Sequence, residues 1–161
     1  MKRSIIAKAL CLLLVIPLLV SCSQKIPASQ IEQATIQEFH YSFGSYFGGY
    51  WDYTIVNADG KTVLTASGSN GVDLSVDSKI PSEALDDIKT ILAQQDIGAW
   101  NGFSERDDGV MDGYSFSLSV LFSDGKTLKA DGYMKYPANY EAGSKVLAEY
   151  LETLSAPYNA Q

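Results

Sequence analysis

The sequence predicts an α+β fold in which two amphipathic helices cover a mainly antiparallel sheet of about six strands. Two segments alternate apolar and polar residues at a period of two on either side of the repeated tetrapeptide DGKT, at 59–62 and 124–127. This pattern is typical of half-buried hairpins. Each hairpin is followed by a proline and then by apolar residues at helical spacing. Residues 31–161 are long enough to form one such domain.

The first 21 residues are predicted to be a signal peptide. The basic start MKRSIIAK precedes the apolar run 9–20, which is shorter than the about 20 residues that a membrane-spanning helix needs. The segment Leu19-Val20-Ser21-Cys22 at its end resembles the lipobox of bacterial lipoproteins. The resemblance implies cleavage before Cys22 and a diacylglyceryl group on the Cys22 thiol. Two acyl chains would anchor the exported protein to a bacterial membrane.

Residues 22–30 are predicted to be the lipidated N-terminus and a flexible tether, because SQKIPASQ is polar and has no apolar period. Ser23 is not the aspartate that resembles an inner-membrane retention signal. This favours the outer membrane in a host with two membranes. The domain itself is expected to lie outside the cytoplasm.

Maturation at this site would change the charge and the cysteine content. Removal of three of the 12 basic residues leaves 9 against 19 acidic ones, a formal charge of −10. Such an acidic chain argues against nucleic-acid partners. Cys11 would leave with the signal peptide and Cys22 would carry lipid, so the folded domain is expected to contain no disulfide. Apart from that lipid, we expect no cofactor.

The first strand is predicted at 35–43, and the first hairpin follows it. A two-residue turn at Asp59-Gly60 sets Ile55 opposite Leu64, so that the apolar residues of both strands share one face.

The second hairpin is predicted to differ, because a two-residue turn would pair Val120 with Lys129. A three-residue loop at 123–125, with Gly125 in the left-handed conformation, sets Val120 opposite Leu128 instead. We therefore predict this bulged hairpin, since a slip of one residue would move every side chain to the other face.

An extra strand is predicted at 72–77, and helices at 81–95 and from about residue 139. Leu85, Ile88 and Leu92 form the apolar stripe of the first helix. The shared order of hairpin and then helix suggests an internal duplication.

One further resemblance covers most of residues 91–154. The stretch IGAWNGFSERDDGVMDGYSFSLSVLFSDGKTLKADGYMKYP resembles a pattern in uncharacterised exported proteins of anaerobic and gut bacteria. The resemblance implies a self-standing domain and adds no chemistry.

Aromatic residues are the main candidates for ligand binding. Tyr46 and Phe47 lie in a glycine-flanked loop without an obvious partner, and Trp100 lies in the turn AWNGF. Exposed aromatic side chains of this kind bind glycans or peptides through an apolar face and a polar tip. These three residues therefore predict a binding surface, while core packing is the alternative for each of them.

Carboxylate side chains are the other candidate functional groups. Glu105, Asp107, Asp108 and Asp112 lie in the loop ERDDGVMDG, and oxygen-rich flexible loops bind calcium. The spacing does not match an EF-hand, and a solvated loop is the alternative.

Histidine and cysteine chemistry is not favoured. His40 is the single histidine and lies in a strand-like run, where a surface or packing role is expected.

Two functions remain open. The first is a membrane-anchored, non-catalytic binding module with an envelope glycan or protein partner. The alternative is a small calcium- or carboxylate-dependent hydrolase that uses residues 105–112.

Overall fold

Seven strands form a mostly antiparallel open sheet with two main helices, which confirms the α+β prediction. The structure, a computed structural model, describes residues 24–159. The strands are β1 (Ile36–Ser45), β2 (Gly49–Ala58), β3 (Lys61–Ser69), β4 (Ser75–Ile80), β5 (Ser104–Arg106), β6 (Ser115–Phe122) and β7 (Thr127–Tyr133). The helices are α1 (Ala28–Gln33), α2 (Glu83–Gln94) and α3 (Tyr140–Ser155).

Both hairpins have the predicted registers. Ile55 lies opposite Leu64 across a two-residue turn, and Val120 lies opposite Leu128 across a three-residue loop. Gly125 has a φ of 82°, the left-handed conformation that this loop requires and that glycine adopts without steric cost. The period-two alternation therefore predicted which face of each strand is buried.

The strand order is β4-β3-β2-β1-β6-β7-β5. The first strand is thus central, and the two hairpins flank it on either side, each antiparallel to it. The internal duplication that the sequence suggests stays a prediction.

Two strands differ from the predicted boundaries. The strand predicted at 72–77 begins later, at Ser75, because residues 69–72 form the turn that precedes it, in which the Val72 amide donates a hydrogen bond to the Ser69 carbonyl at 3.3 Å. The seventh strand, β5, was not predicted. It is three exposed residues long and pairs in parallel with β7.

The helices lie on one face of the sheet and enclose the core with it. Leu85, Ile88 and Leu92 of α2 are buried, as the apolar stripe predicted. Helix α3 packs against α2, where the Tyr150 hydroxyl donates a hydrogen bond to Asp87 Oδ2 at 3.1 Å. The core face of the sheet contributes alternate residues of its central strands.

The opposite face of the sheet carries small polar and charged side chains. Ser115, Ser117 and Ser119 of β6 are half-buried there. Ser42 of the neighbouring β1 is buried, because the Tyr50 side chain reaches over it and donates a hydrogen bond to its hydroxyl at 2.9 Å. We call this surface the open face.

Candidate functional site

The predicted lipidation residue, Cys22, and the predicted signal peptide lie outside the described residues. Within residues 24–159, no helix is long and apolar enough to cross a membrane.

The segment that follows Cys22 is held against the domain. Asn101 Nδ2 donates a hydrogen bond to the Gln24 carbonyl at 2.9 Å, and the Ile26 amide donates to the Gly98 carbonyl at 3.0 Å. Helix α1 then buries Ile31 completely. The prediction of a flexible tether through residue 30 is therefore wrong for residues 24–30, because these hydrogen bonds hold the entering chain and the buried Ile31 docks the helix despite its polar sequence.

Trp100 is part of the core, so its prediction as an exposed binding residue is wrong. Its side chain is fully buried, and its Nε1 donates a hydrogen bond to the Ala138 carbonyl at 3.2 Å. Its ring lies 5.3 Å from the Tyr140 ring and 6.0 Å from the Phe116 ring. The absent side chain of Gly143 lets helix α3 approach the indole closely.

Tyr46 and Phe47 are exposed, at 69% and 75% of their surface. They form the turn between β1 and β2, and their rings meet edge to face at 5.2 Å. Three other large apolar side chains are exposed in the described part of the chain, and they lie at this same end of the sheet. These are Met111, Tyr114 and Tyr136, and together with Tyr46 and Phe47 they form what we call the aromatic end.

The aromatic end is built from segments distant in sequence. A side chain at Gly48 would overlap the Tyr114 hydroxyl, so Tyr114 lies directly against the turn that carries Tyr46. The Tyr136 hydroxyl lies 3.5 Å from the Tyr114 carbonyl. Burial raises the pKa of Tyr136, and the neighbouring Tyr114 raises it further. Tyr114 was not among the binding residues predicted from the sequence, because its contacts with the β1–β2 turn come from a segment distant in sequence.

The carboxylates of the acidic loop ERDDGVMDG make separate local contacts. Asp107 accepts a hydrogen bond from the Gly109 amide at 3.0 Å, and Asp108 pairs with Arg106 at 3.1 Å. Within residues 24–159, no three His, Cys, Asp or Glu residues are grouped so that they could hold a metal ion. Among the described residues, Asp107, Asp108 and Asp112 therefore do not converge into the calcium site that the acidic composition of this loop suggested, and no described contact favours the hydrolase alternative.

His40 lies on the open face and has a partner. Its Nε2 lies 3.1 Å from Asp52 Oδ2 on the adjacent strand. Ser119 faces His40 from the other neighbouring strand. Among the described contacts, no hydrogen bond joins that serine to the imidazole.

A concave site of about 390 Å³ lies on the open face beside the aromatic end. Sequence reasoning missed it, because it combines the short strand β5 with residues of β2, β6 and β7. The side chains that shape it are Tyr50 and Tyr133 as walls, Ser115 and Ser117 as floor, and Arg106 and Asp131 at the rim. We call it the tyrosine cleft.

Both walls of the tyrosine cleft are fixed by hydrogen bonds. The Tyr133 hydroxyl accepts a hydrogen bond from the Gly113 amide at 2.7 Å and donates one to the Val110 carbonyl at 3.0 Å. The Arg106 guanidinium lies over the Tyr133 ring, 4.9 Å from its centroid. The cleft therefore presents two immobilised tyrosine side chains with serine hydroxyl groups between them, and with the Asp131 carboxylate and the Arg106 guanidinium at its rim.

No protein-family model matches this chain, and no curated protein is similar to it in sequence.

Proposed function

We propose that this protein is a bacterial lipoprotein, anchored through lipid on Cys22, whose domain is a non-catalytic binding module outside the cytoplasm. The observation that supports a binding role is the aromatic end. Large apolar side chains exposed together at one place mark interaction surfaces, and tyrosine combines apolar area with a polar tip.

The position of the N-terminal segment supports the proposed anchoring. Asn101 Oδ1 accepts a hydrogen bond from the Lys129 amide near the start of β7 at 3.0 Å, while its Nδ2 donates to the Gln24 carbonyl. Gln24 therefore lies near the β6–β7 turn, at the end of the sheet opposite the aromatic end. Seven steps of about 3.4 Å along β6 separate these two ends by about 24 Å.

Lipidation is tested by mass spectrometry of the protein purified from its host membranes. We expect the mature chain to begin at Cys22 with a diacylglyceryl thioether, and Cys22→Ser to abolish both the lipid mass and the cleavage before residue 22. Cys11→Ser is the matched control, because it changes the other cysteine and should leave both results unchanged. An unmodified Cys22, or an intact leader, would refute the proposed anchor.

The binding role is tested with the full chain in detergent micelles and with envelope fractions of the host. Truncation of Tyr46 and Phe47 to alanine should reduce retention on the fraction that binds the protein. The control removes apolar surface at the far end of the open face, with Val56→Ala and Leu121→Ala. If both double variants were retained equally, the aromatic end would not be part of the binding surface.

A further inference from the structure

We propose that the tyrosine cleft binds an uncharged oligosaccharide. This inference rests on the proposed binding function and adds to it a second site and a ligand class. The volume of the cleft, about 390 Å³, falls within the roughly 300–1,000 Å³ of small-ligand sites.

The spacing of the walls follows from the strand register. Tyr133 lies opposite Ser115, Ser115 opposite Gly44, and Gly44 opposite Tyr50. Three inter-strand steps of about 4.8 Å therefore separate the backbones of the two tyrosines by about 14 Å. In this register only a glycine and a serine lie between the two tyrosines, so the floor carries little side-chain bulk.

The floor offers no backbone for strand pairing. The strands beneath it, β1 and β6, are each paired on both sides, so their amide and carbonyl groups already have partners. Peptides that bind to sheets as an added strand need an open edge. Among the described residues, the open edge that lines the cleft belongs to β5. Its three residues give an added strand few pairing partners, so a ligand over the floor is recognised mainly by side chains, which disfavours an extended peptide.

The available side chains suit a ligand that carries many hydroxyl groups. Asp131 Oδ2 accepts a hydrogen bond from the Ser104 hydroxyl at 3.0 Å, and its Oδ1 has no partner among the described contacts. The half-buried Ser117 hydroxyl lies beside it on the adjacent strand. A carboxylate oxygen and a hydroxyl side by side accept and donate hydrogen bonds to vicinal hydroxyl groups. The tyrosine rings would pack against the apolar faces of sugar rings.

Charge selects against an anionic ligand. The Arg106 guanidinium is paired with Asp108 at 3.1 Å, while Asp131 has no cationic partner within 4 Å among the described residues. The predicted mature chain carries a formal charge of −10. The potential around the cleft therefore repels anions, and the oligosaccharide is expected to be uncharged.

The test is a titration of the full chain, in detergent micelles, with linear tetrasaccharides of glucose, galactose, mannose and N-acetylglucosamine. We expect saturable binding of at least one of them. Ser117→Tyr should weaken that binding at least about tenfold by filling the floor. Ser119→Tyr is the matched control, because Ser119 lies two residues along the same strand on the same face, and it should change the affinity less than about twofold.

A second variant keeps the test independent of folding defects. Asp131→Asn preserves the shape and the contact with Ser104 but removes the charge, and it should weaken binding about tenfold, since hydrogen bonds to charged groups are the stronger ones. Near-ultraviolet circular dichroism should match the unchanged protein.

Three outcomes overturn the inference. They are the absence of binding to all four tetrasaccharides, equal weakening by Ser117→Tyr and Ser119→Tyr, and a preference for an anionic polysaccharide or a peptide. If none of the tetrasaccharides binds while Tyr46 and Phe47 still mediate retention on envelope fractions, the proposed binding function stands and only the oligosaccharide site fails.

Discussion

Truncation of Trp100 to alanine is expected to destabilise the domain rather than to impair binding. The indole is fully buried and packs between the ring of Phe116 on the sheet and that of Tyr140 at the start of α3. Its Nε1 also donates to the Ala138 carbonyl. The substitution therefore removes packing between the sheet and α3 together with one hydrogen bond.

The size of the effect follows from these contacts. Truncation of a buried tryptophan to alanine costs about 3–5 kcal/mol, depending on how far the cavity collapses. The indole meets rings on two rigid elements, and the lost hydrogen bond contributes about 1 kcal/mol. We therefore expect a loss of about 4–5 kcal/mol from a total stability of roughly 5–15 kcal/mol.

Urea unfolding followed by far-ultraviolet circular dichroism measures this loss. With an m-value of about 2 kcal/mol/M, the midpoint should fall by about 2 M. Phe47→Ala is the control, because it truncates an aromatic residue that is 75% exposed and should change the free energy of unfolding by less than about 0.5 kcal/mol. A loss below about 1 kcal/mol for Trp100→Ala would refute the assignment of Trp100 to the core.

Three further changes test other parts of the structure. Burial raises the pKa of Tyr140 to about 12, so the unfolded state loses its tyrosine protons first. The free energy of unfolding should then fall as the pH rises from about 10 to about 12, less steeply in Tyr140→Phe, as urea titrations at each pH would show. Gly125→Ala places a side chain at a φ of 82° and should cost about 1 kcal/mol in the same assay, whereas no loss would contradict the bulged loop. Asn101→Ala removes the hydrogen bonds with Gln24 and Lys129 and should speed hydrogen exchange at the Ile26 amide, and unchanged exchange would contradict that docking.

The periodic spacing of apolar residues correctly predicted the hairpin registers and the buried face of α2, because both depend on residues that are close in sequence. In each hairpin, alternation fixes which residues can face the core, and only one turn length satisfies both strands. That is why Ile55 and Val120 were assigned their correct partners. The stripe of α2 was predicted for the same reason, since one helical period places Leu85, Ile88 and Leu92 on one face.

The errors concern residues whose environment comes from distant segments. Trp100 lies in a short turn whose sequence suggests exposure, but Ala138 and Tyr140 cover it from almost 40 residues away. Helix α1 carries one fully buried residue, Ile31, which is too few to give an apolar period. Strand β5 buries none of its three residues. The tyrosine cleft depends on that strand, so it could not be predicted either.

The proposed lipid anchor would determine where the two proposed binding sites lie relative to the membrane. Two residues span at most about 7 Å, so lipid on Cys22 would hold Gln24, and with it the β6–β7 turn, close to the lipid headgroups. The aromatic end lies about 24 Å further along the sheet, and the tyrosine cleft opens on the face beside it. A ligand would then approach from the side away from the membrane. With lipid on Cys22, the close docking of residues 24–26 would set this orientation, since Asn101 and Gly98 fix the chain where it enters the domain.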